Sequence, residues 1–258
     1  MTSVERPECP YIFTADSFRK LVKYLGKSPR HIRSWWKWEE FAKQYPNLRS
    51  DIEKYLEEAT TGDPASAAVK MVRYFGSSRE WAERMIEQTQ VGDYAWAAYE
   101  MVCYYGSPRE WAEGVIEHAQ TGNPARAAAY MVRYYGSSRE WAEKIIEQAK
   151  TGDPAKAALK MVRYCGSSHE WAERVIERAQ IGDPAWVAME MVCYYGSLRE
   201  WAEKVIENAQ TGDPVQAATA MVQYCGSSRE WAQEIVAQAQ TSVIDIKQNF
   251  TPALRRGR

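Results

Sequence analysis

The chain has 258 residues, 45% apolar and 26% charged, with a formal net charge of −1. This balance argues against wholesale disorder and against a global basic field for nucleic acid. No run of 18 apolar residues is present, which leaves no candidate for a membrane-spanning helix. The charge is distributed unevenly. Residues 1–60 carry 11 Lys and Arg against 9 Asp and Glu, residues 61–240 carry 18 against 24, and residues 241–258 carry 4 against 1.

The first sixty residues read as a helical N-terminal cap containing a degenerate repeat. Leu21 to Gly26 echo Met71 to Gly76, and Lys27-Ser28-Pro29-Arg30 echo a turn that recurs later. His31 to Gln44 carry Trp35, Trp36 and Trp38, Tyr45-Pro46-Asn47 break the chain, and Asp51 to Thr61 read as a further helix. Met1 to Pro10 are polar, so no signal peptide is expected.

From residue 61 to residue 240 a 30-residue unit is written six times without insertion or loss. Asp63, Asp93, Asn123, Asp153, Asp183 and Asp213 open the units, and Trp81, Trp111, Trp141, Trp171, Trp201 and Trp231 recur in phase. A strict period of this length predicts stacked supersecondary units, each too small to bury its own apolar face. In residues 153–182, Asp153 is a good N-cap and Pro154 suits the first helical position. Gly166 supplies a left-handed C-terminal residue. Ser167-Ser168-His169-Glu170 read as a capping box, and the matching Ser107-Pro108-Arg109-Glu110 place Pro at the start of a helix. The second helix is expected from about Ser168 to Gln180, stopping at Gly182.

Each unit is therefore predicted to be two short antiparallel helices, stabilised mainly by packing between copies. Ala158, Met161, Val162 and Cys165 form the apolar stripe of the first helix. Trp171, Ala172, Val175, Ile176 and Ala179 form that of the second. The tryptophan ladder reads as core, and Glu143 and Glu147 read as partners in i,i+3 and i,i+4 ion pairs. Residues 241–258 read as a C-terminal cap and basic tail, ending in Arg255-Arg256-Gly257-Arg258. Cys9, Cys103, Cys165, Cys193 and Cys225 are odd in number and lack C-x-x-C spacing. They read as free thiols in a reducing, cytoplasmic compartment.

Trp141, Gly152-Asp153-Pro154, Ala157 and Met161 fall at offsets that resemble a tetratricopeptide repeat, and Gly92-Asp93-Tyr94 is closer still. The 30-residue length and the Gly-Asp-Pro also resemble short HEAT-type repeats. Ile145 and Gln148 depart from the tetratricopeptide pattern. The resemblance covers about 180 residues and is specific to the αα-hairpin solenoid class. It implies an all-α right-handed superhelix with a concave groove.

Aligning the copies separates scaffold from variable surface. Three first-helix positions vary. The first reads Ser66, Trp96, Arg126, Lys156, Trp186, Gln216; the second Lys70, Glu100, Tyr130, Lys160, Glu190, Ala220; the third Arg73, Cys103, Arg133, Arg163, Cys193, Gln223. Spacing i, i+4, i+7 puts them on one helix face, away from the apolar stripe. Trp96 and Trp186 are interface-type residues. Arg126, Arg133, Lys156, Lys160 and Arg163 form a basic patch suited to carboxylates or phosphates.

The candidate partner-binding residues are therefore Trp96, Glu100, Arg126, Tyr130, Arg133, Lys156, Lys160, Arg163, Trp186 and Glu190. A non-enzymatic scaffold for a protein or peptide partner is expected, without cofactor, because His31, His118 and His169 lie apart and no catalytic or dinucleotide motif is present. A nucleic-acid reader and a structural spacer are the alternatives.

Overall fold

The computed structural model describes Lys43, residues 46–58 and residues 63–250, with backbone alone at Pro46, Tyr55 and 241–250. The expected echo at 21–30, the tryptophans at 35, 36 and 38, Cys9 and the terminal arginines lie outside the described residues. All regular structure among the described residues is helical. A 3₁₀ turn, Pro46–Leu48, leads into α1 (Arg49–Glu57). Six helix pairs follow: α2 (Pro64–Lys70) with α3 (Arg79–Gln88), α4 (Tyr94–Tyr105) with α5 (Arg109–Glu117), and α6 (Pro124–Tyr135) with α7 (Arg139–Gln148). Then come α8 (Pro154–Cys165) with α9 (His169–Arg178), α10 (Pro184–Tyr195) with α11 (Arg199–Glu207), and α12 (Pro214–Tyr224) with α13 (Arg229–Phe250). The chain divides into two compact units, residues 1–122 and 123–258.

Local chemistry sets these boundaries. The opening Asp or Asn of each copy accepts a hydrogen bond from the backbone N–H three residues on, as Asp153 Oδ1 does from Lys156 N (3.0 Å) and Asn123 Oδ1 from Arg126 N (3.0 Å). This satisfies one of the otherwise orphaned amides of the first turn. The first helix ends where Gly166 takes φ +72°, a conformation that glycine adopts without steric cost. The second helix is capped one residue later than a Ser167–Glu170 box requires. Ser168 Oγ accepts from Trp171 N (3.2 Å), and Ser167 Oγ instead donates to Glu143 (2.6 Å). In the second and fifth copies Pro108 and Leu198 occupy the cap, with no side-chain cap bond, so Pro108 precedes the helix rather than starting it.

Packing within each unit follows one rule. A first helix packs against its own second helix and against the next first helix, and the second helix leans on the next first helix. The core is a repeated set of fully buried side chains: Met71 and Met101 with Ile86 and Ile116 in the first unit, and Met131, Met161 and Met191 with Ile146, Ile176 and Ile206 in the second. Buried alanines such as Ala155, Ala157 and Ala158 let adjacent first helices approach closely. The indoles of Trp81 and Trp171 are buried, and those of Trp111, Trp141, Trp201 and Trp231 are half-buried.

Two bonds stitch successive copies together. The Trp Nε1 donates to a glutamate of the preceding second helix: Trp111 to Glu87 (2.6 Å), Trp171 to Glu147 (2.7 Å), Trp201 to Glu177 (2.7 Å) and Trp231 to Glu207 (2.8 Å). The glutamate at the 147 position is thus committed to the next copy. The glutamate at the 143 position does pair within its helix, Glu143 with Arg139 at 3.7 Å. The same arginines also reach forward to the glycine carbonyl that ends the next first helix, as in Arg79 to Gly106 (3.2 Å), Arg139 to Gly166 (3.0 Å) and Arg199 to Gly226 (3.0 Å).

Three features depart from expectation. The first helix of the first copy finishes as a π-turn, Met71–Phe75. The last helix runs on to Phe250 instead of stopping near residue 240. There Thr241-Ser242-Val243-Ile244 replace the Thr-Gly-Asp-Pro that breaks other copies, so both the left-handed glycine and the new N-cap are missing. Finally, Cys193 and Cys225 are not free thiols. They form a disulfide between α10 and α12, with Cα atoms 5.7 Å apart, whereas Cys103 and Cys165 are free.

The glycine between copies is held more tightly than the one within a copy. Gly182 has φ +84°, and a Cβ there would fall 2.7 Å from Asp153 Cγ and 3.3 Å from Asp153 Cα, whereas one on Gly166 would meet nothing within 4 Å. Gly166→Ala should therefore cost only the left-handed strain, about 1–2 kcal/mol. Gly182→Ala should cost more, because it also displaces the cap that starts α8. Urea unfolding of the two variants decides this, and equal losses would refute the steric account.

Candidate functional site

In the second unit the variable first-helix positions bring the expected basic residues into two neighbouring rows. Arg126, Tyr130 and Arg133 descend α6, and Lys156, Lys160 and Arg163 descend the adjacent α8. Lys160 Nζ donates to the Tyr130 hydroxyl (3.1 Å) and lies 4.5 Å from its ring centre, and Arg126 approaches the same ring at 5.6 Å. The Arg133 guanidinium covers the Tyr164 ring at 3.5 Å and the Tyr134 ring at 4.8 Å, and Arg163 covers Tyr164 at 5.1 Å. Arg126, Arg133, Lys156 and Arg163 are exposed, while Tyr130 and Lys160 are half-buried.

The tyrosines let these cations stand side by side. Each ring offers its negative face to a guanidinium or ammonium group, which offsets part of the repulsion between like charges. The Lys160 ammonium in turn holds the Tyr130 hydroxyl below its usual range. Arg133, Lys156, Lys160 and Arg163 form no ion pair among the described residues. This contrasts with Arg139 and Arg199 on the second helices, each of which is paired with two glutamates. On α10, Trp186 is half-buried and its Nε1 donates to Glu190 (3.2 Å), while Cys193 is taken up in the disulfide. Gln216 and Gln223 on α12 are exposed, and Ala220 between them is buried.

The first unit carries the corresponding face with a different chemistry. Trp96 is half-buried and stacks on Tyr99, with ring centres 4.6 Å apart. Burial pushes the Glu100 carboxyl up, against the opposing effects of a hydrogen bond from Trp96 and of the nearby Lys70. Burial likewise pushes the Lys70 ammonium down, opposed by Asp63 and Glu100. Ser66, at the first variable position, is buried at the α2 N-terminus and contributes no surface. The expected surface is therefore interrupted at Ser66 and Ala220, and the two odd indoles are each engaged with a glutamate one turn away.

A feature that periodicity alone did not single out is an exposed tyrosine that recurs in successive copies. Tyr104 in the first unit and Tyr134, Tyr164, Tyr194 and Tyr224 in the second have exposures from 42% to 75%. Because they recur they are absent from the variable positions, yet they lie one residue beyond the third of these and extend the accessible face.

Among the described residues no three His, Cys, Asp or Glu side chains come together as metal ligands, and no helix is long and apolar enough to cross a membrane. No family model matches the chain, and no curated protein matches it.

Proposed function

We propose that the protein is a non-enzymatic binding scaffold whose first helices present an aromatic and basic face to a protein or peptide partner with acidic groups. One observation carries this reading. Four cations on α6 and α8 stand without carboxylate partners on a face built with tyrosine rings. Unpaired guanidinium groups held in place by ring contacts are preorganised for carboxylates, because little side-chain entropy remains to be lost on binding.

Fluorescence anisotropy with a labelled glutamate-rich dodecapeptide tests it. The double substitution Lys156→Ser/Arg163→Ser should weaken binding at least about tenfold, which corresponds to roughly 1.4 kcal/mol. Lys144→Ser/Lys204→Ser, on the second helices, should leave it unchanged. Equal losses in both variants, or no binding by the parent protein, would refute the reading.

The exposed tyrosines favour a second reading, in which bases of a single-stranded nucleic acid stack on the tyrosines of the second unit beside the arginines. A labelled dodecanucleotide that binds more tightly than the peptide, with affinity falling steeply with salt, would support it instead. The remaining alternative, a structural spacer, is tested by light scattering on the purified protein.

A further inference from the structure

Between consecutive second helices, over the first turn of the intervening first helix, each unit carries a groove, and the two grooves can be compared residue by residue. In the second unit the groove is about 240 Å³ and is lined by Ile146, Glu147, Lys150, Pro154, Arg174 and Arg178, among others. In the first unit the same positions are Ile86, Glu87, Gln90, Tyr94, Gly114 and His118, and the groove is about 650 Å³. All three cations have been replaced: Lys150 by Gln90, Arg174 by Gly114 and Arg178 by His118. The charged side chains left lining the larger groove are Glu87 and Glu110, and Trp111 lines it as well.

Gly114 is the informative substitution. It lies inside α5, where glycine costs about 1 kcal/mol relative to alanine. A Cβ there would meet nothing within 4 Å, so packing does not require glycine. What its absent side chain leaves is space. The walls are fixed by side-chain bonds, of which those of Tyr94 have no counterpart in copies that carry proline there. The buried Tyr94, which stands where other copies have proline, accepts from Gln120 N (2.7 Å) and donates to the His118 carbonyl (3.4 Å). His118 Nδ1 donates to the Gly114 carbonyl (2.8 Å). Glu87 Oε1 is held by Trp111 Nε1, and its second oxygen has no partner among the described residues. On the rim, Glu110 Oε1 accepts from Arg109 (2.9 Å).

We propose that this groove in the first unit binds one basic side chain, lysine or arginine, of a partner polypeptide. The methylene stem would lie on Val115 and the flank of the Trp111 ring, both of which line the groove. The charged head would meet Glu87 and Glu110 and the indole of Trp111. An apolar channel closed by carboxylates and an aromatic ring suits an amphipathic cation and disfavours an acidic or neutral side chain. The site lies on the second helices and goes beyond the first-helix reading above, so its failure would leave that reading standing.

The test follows the Trp111 indole N–H cross-peak by NMR during titration with blocked alanine pentapeptides bearing one central arginine, lysine or glutamate. The arginine and lysine peptides should shift the peak saturably, with a Kd on the order of 1 mM, and the glutamate peptide should not. Gly114→Arg, which restores the residue type of the second unit, should abolish the shift. Glu87→Gln should weaken binding about fivefold or more, the range of a lost charge-assisted bond at a partly exposed site. If Gly114→Arg loses its helical circular dichroism, Glu87→Gln decides alone. No saturable shift with either basic peptide, an equal shift with glutamate, or parent-like binding by a folded Gly114→Arg or by Glu87→Gln would overturn the proposal.

Discussion

Replacing Trp171 by alanine is expected to lower the unfolding free energy by about 3–5 kcal/mol, the usual range for truncating a large buried aromatic side chain. The indole is 5% exposed and sits with Ala172, Val175 and Ile176 on the buried side of α9. It also carries the bond to Glu147 on the preceding second helix, so the substitution removes both packing within a copy and a tie between copies. Phenylalanine separates the two effects. Trp171→Phe keeps most of the apolar volume but not the N–H, and should cost about 1–2 kcal/mol, near the net value of a hydrogen bond to a charged group. Glu147→Gln, which retains an acceptor, should cost less than either. Urea denaturation of the three variants provides the comparison. A loss below about 1 kcal/mol for Trp171→Ala would show that the indole is not part of the core.

The disulfide is expected to have a comparable effect. Cys193 and Cys225 are 32 residues apart in sequence. Closing a loop of that size removes enough unfolded-state entropy to stabilise the fold by about 3–4 kcal/mol on the chain-entropy account. Cys225→Ser, or reduction of the parent protein, should therefore lower the urea midpoint by the same amount in both cases. Reduction should have no further effect on Cys225→Ser. Peptide mapping without reductant should recover the fragments containing Cys193 and Cys225 as one cross-linked species. Two separate fragments, or an unchanged midpoint on reduction, would contradict the bond.

Much of the fold is legible in the sequence because its punctuation is local. An aspartate before a proline starts a first helix and a glycine ends it, and each acts through its own backbone neighbourhood. The Ala, Met and Ile positions of the core follow from helical periodicity in the same way. What sequence spacing did not resolve depends on how copies sit against one another. Glu147 looks like a within-helix partner, yet it serves Trp171, 24 residues away. The cap falls on Ser168, one residue later than expected, and the same shift occurs at Ser78 and Ser138. Cys193 and Cys225 match no disulfide spacing, but their separation is one repeat plus two residues, which places them on adjacent first helices.

The candidate face was partly legible. The variation of Arg126, Arg133, Lys156, Lys160 and Arg163 among copies marked the cationic rows. The tyrosines beneath and beside them did not stand out, since residues repeated in every copy read as scaffold. The Gly114 groove was visible as a departure from the shared pattern only once Tyr94, Gly114 and His118 could be seen to converge.

The forward reach of each second-helix arginine to the next copy's closing carbonyl has a consequence for how such a chain can change length. A copy of this kind carries both a donor arginine and an acceptor carbonyl, so one inserted or deleted whole brings its own fastening and needs no matching change elsewhere. The exception is His169, which meets Tyr195 edge-on at 6.3 Å where an arginine would bond to Gly196. Within residues 123–240 that seam lacks a fastener its neighbours possess, and it is where the second unit should first come apart under tension.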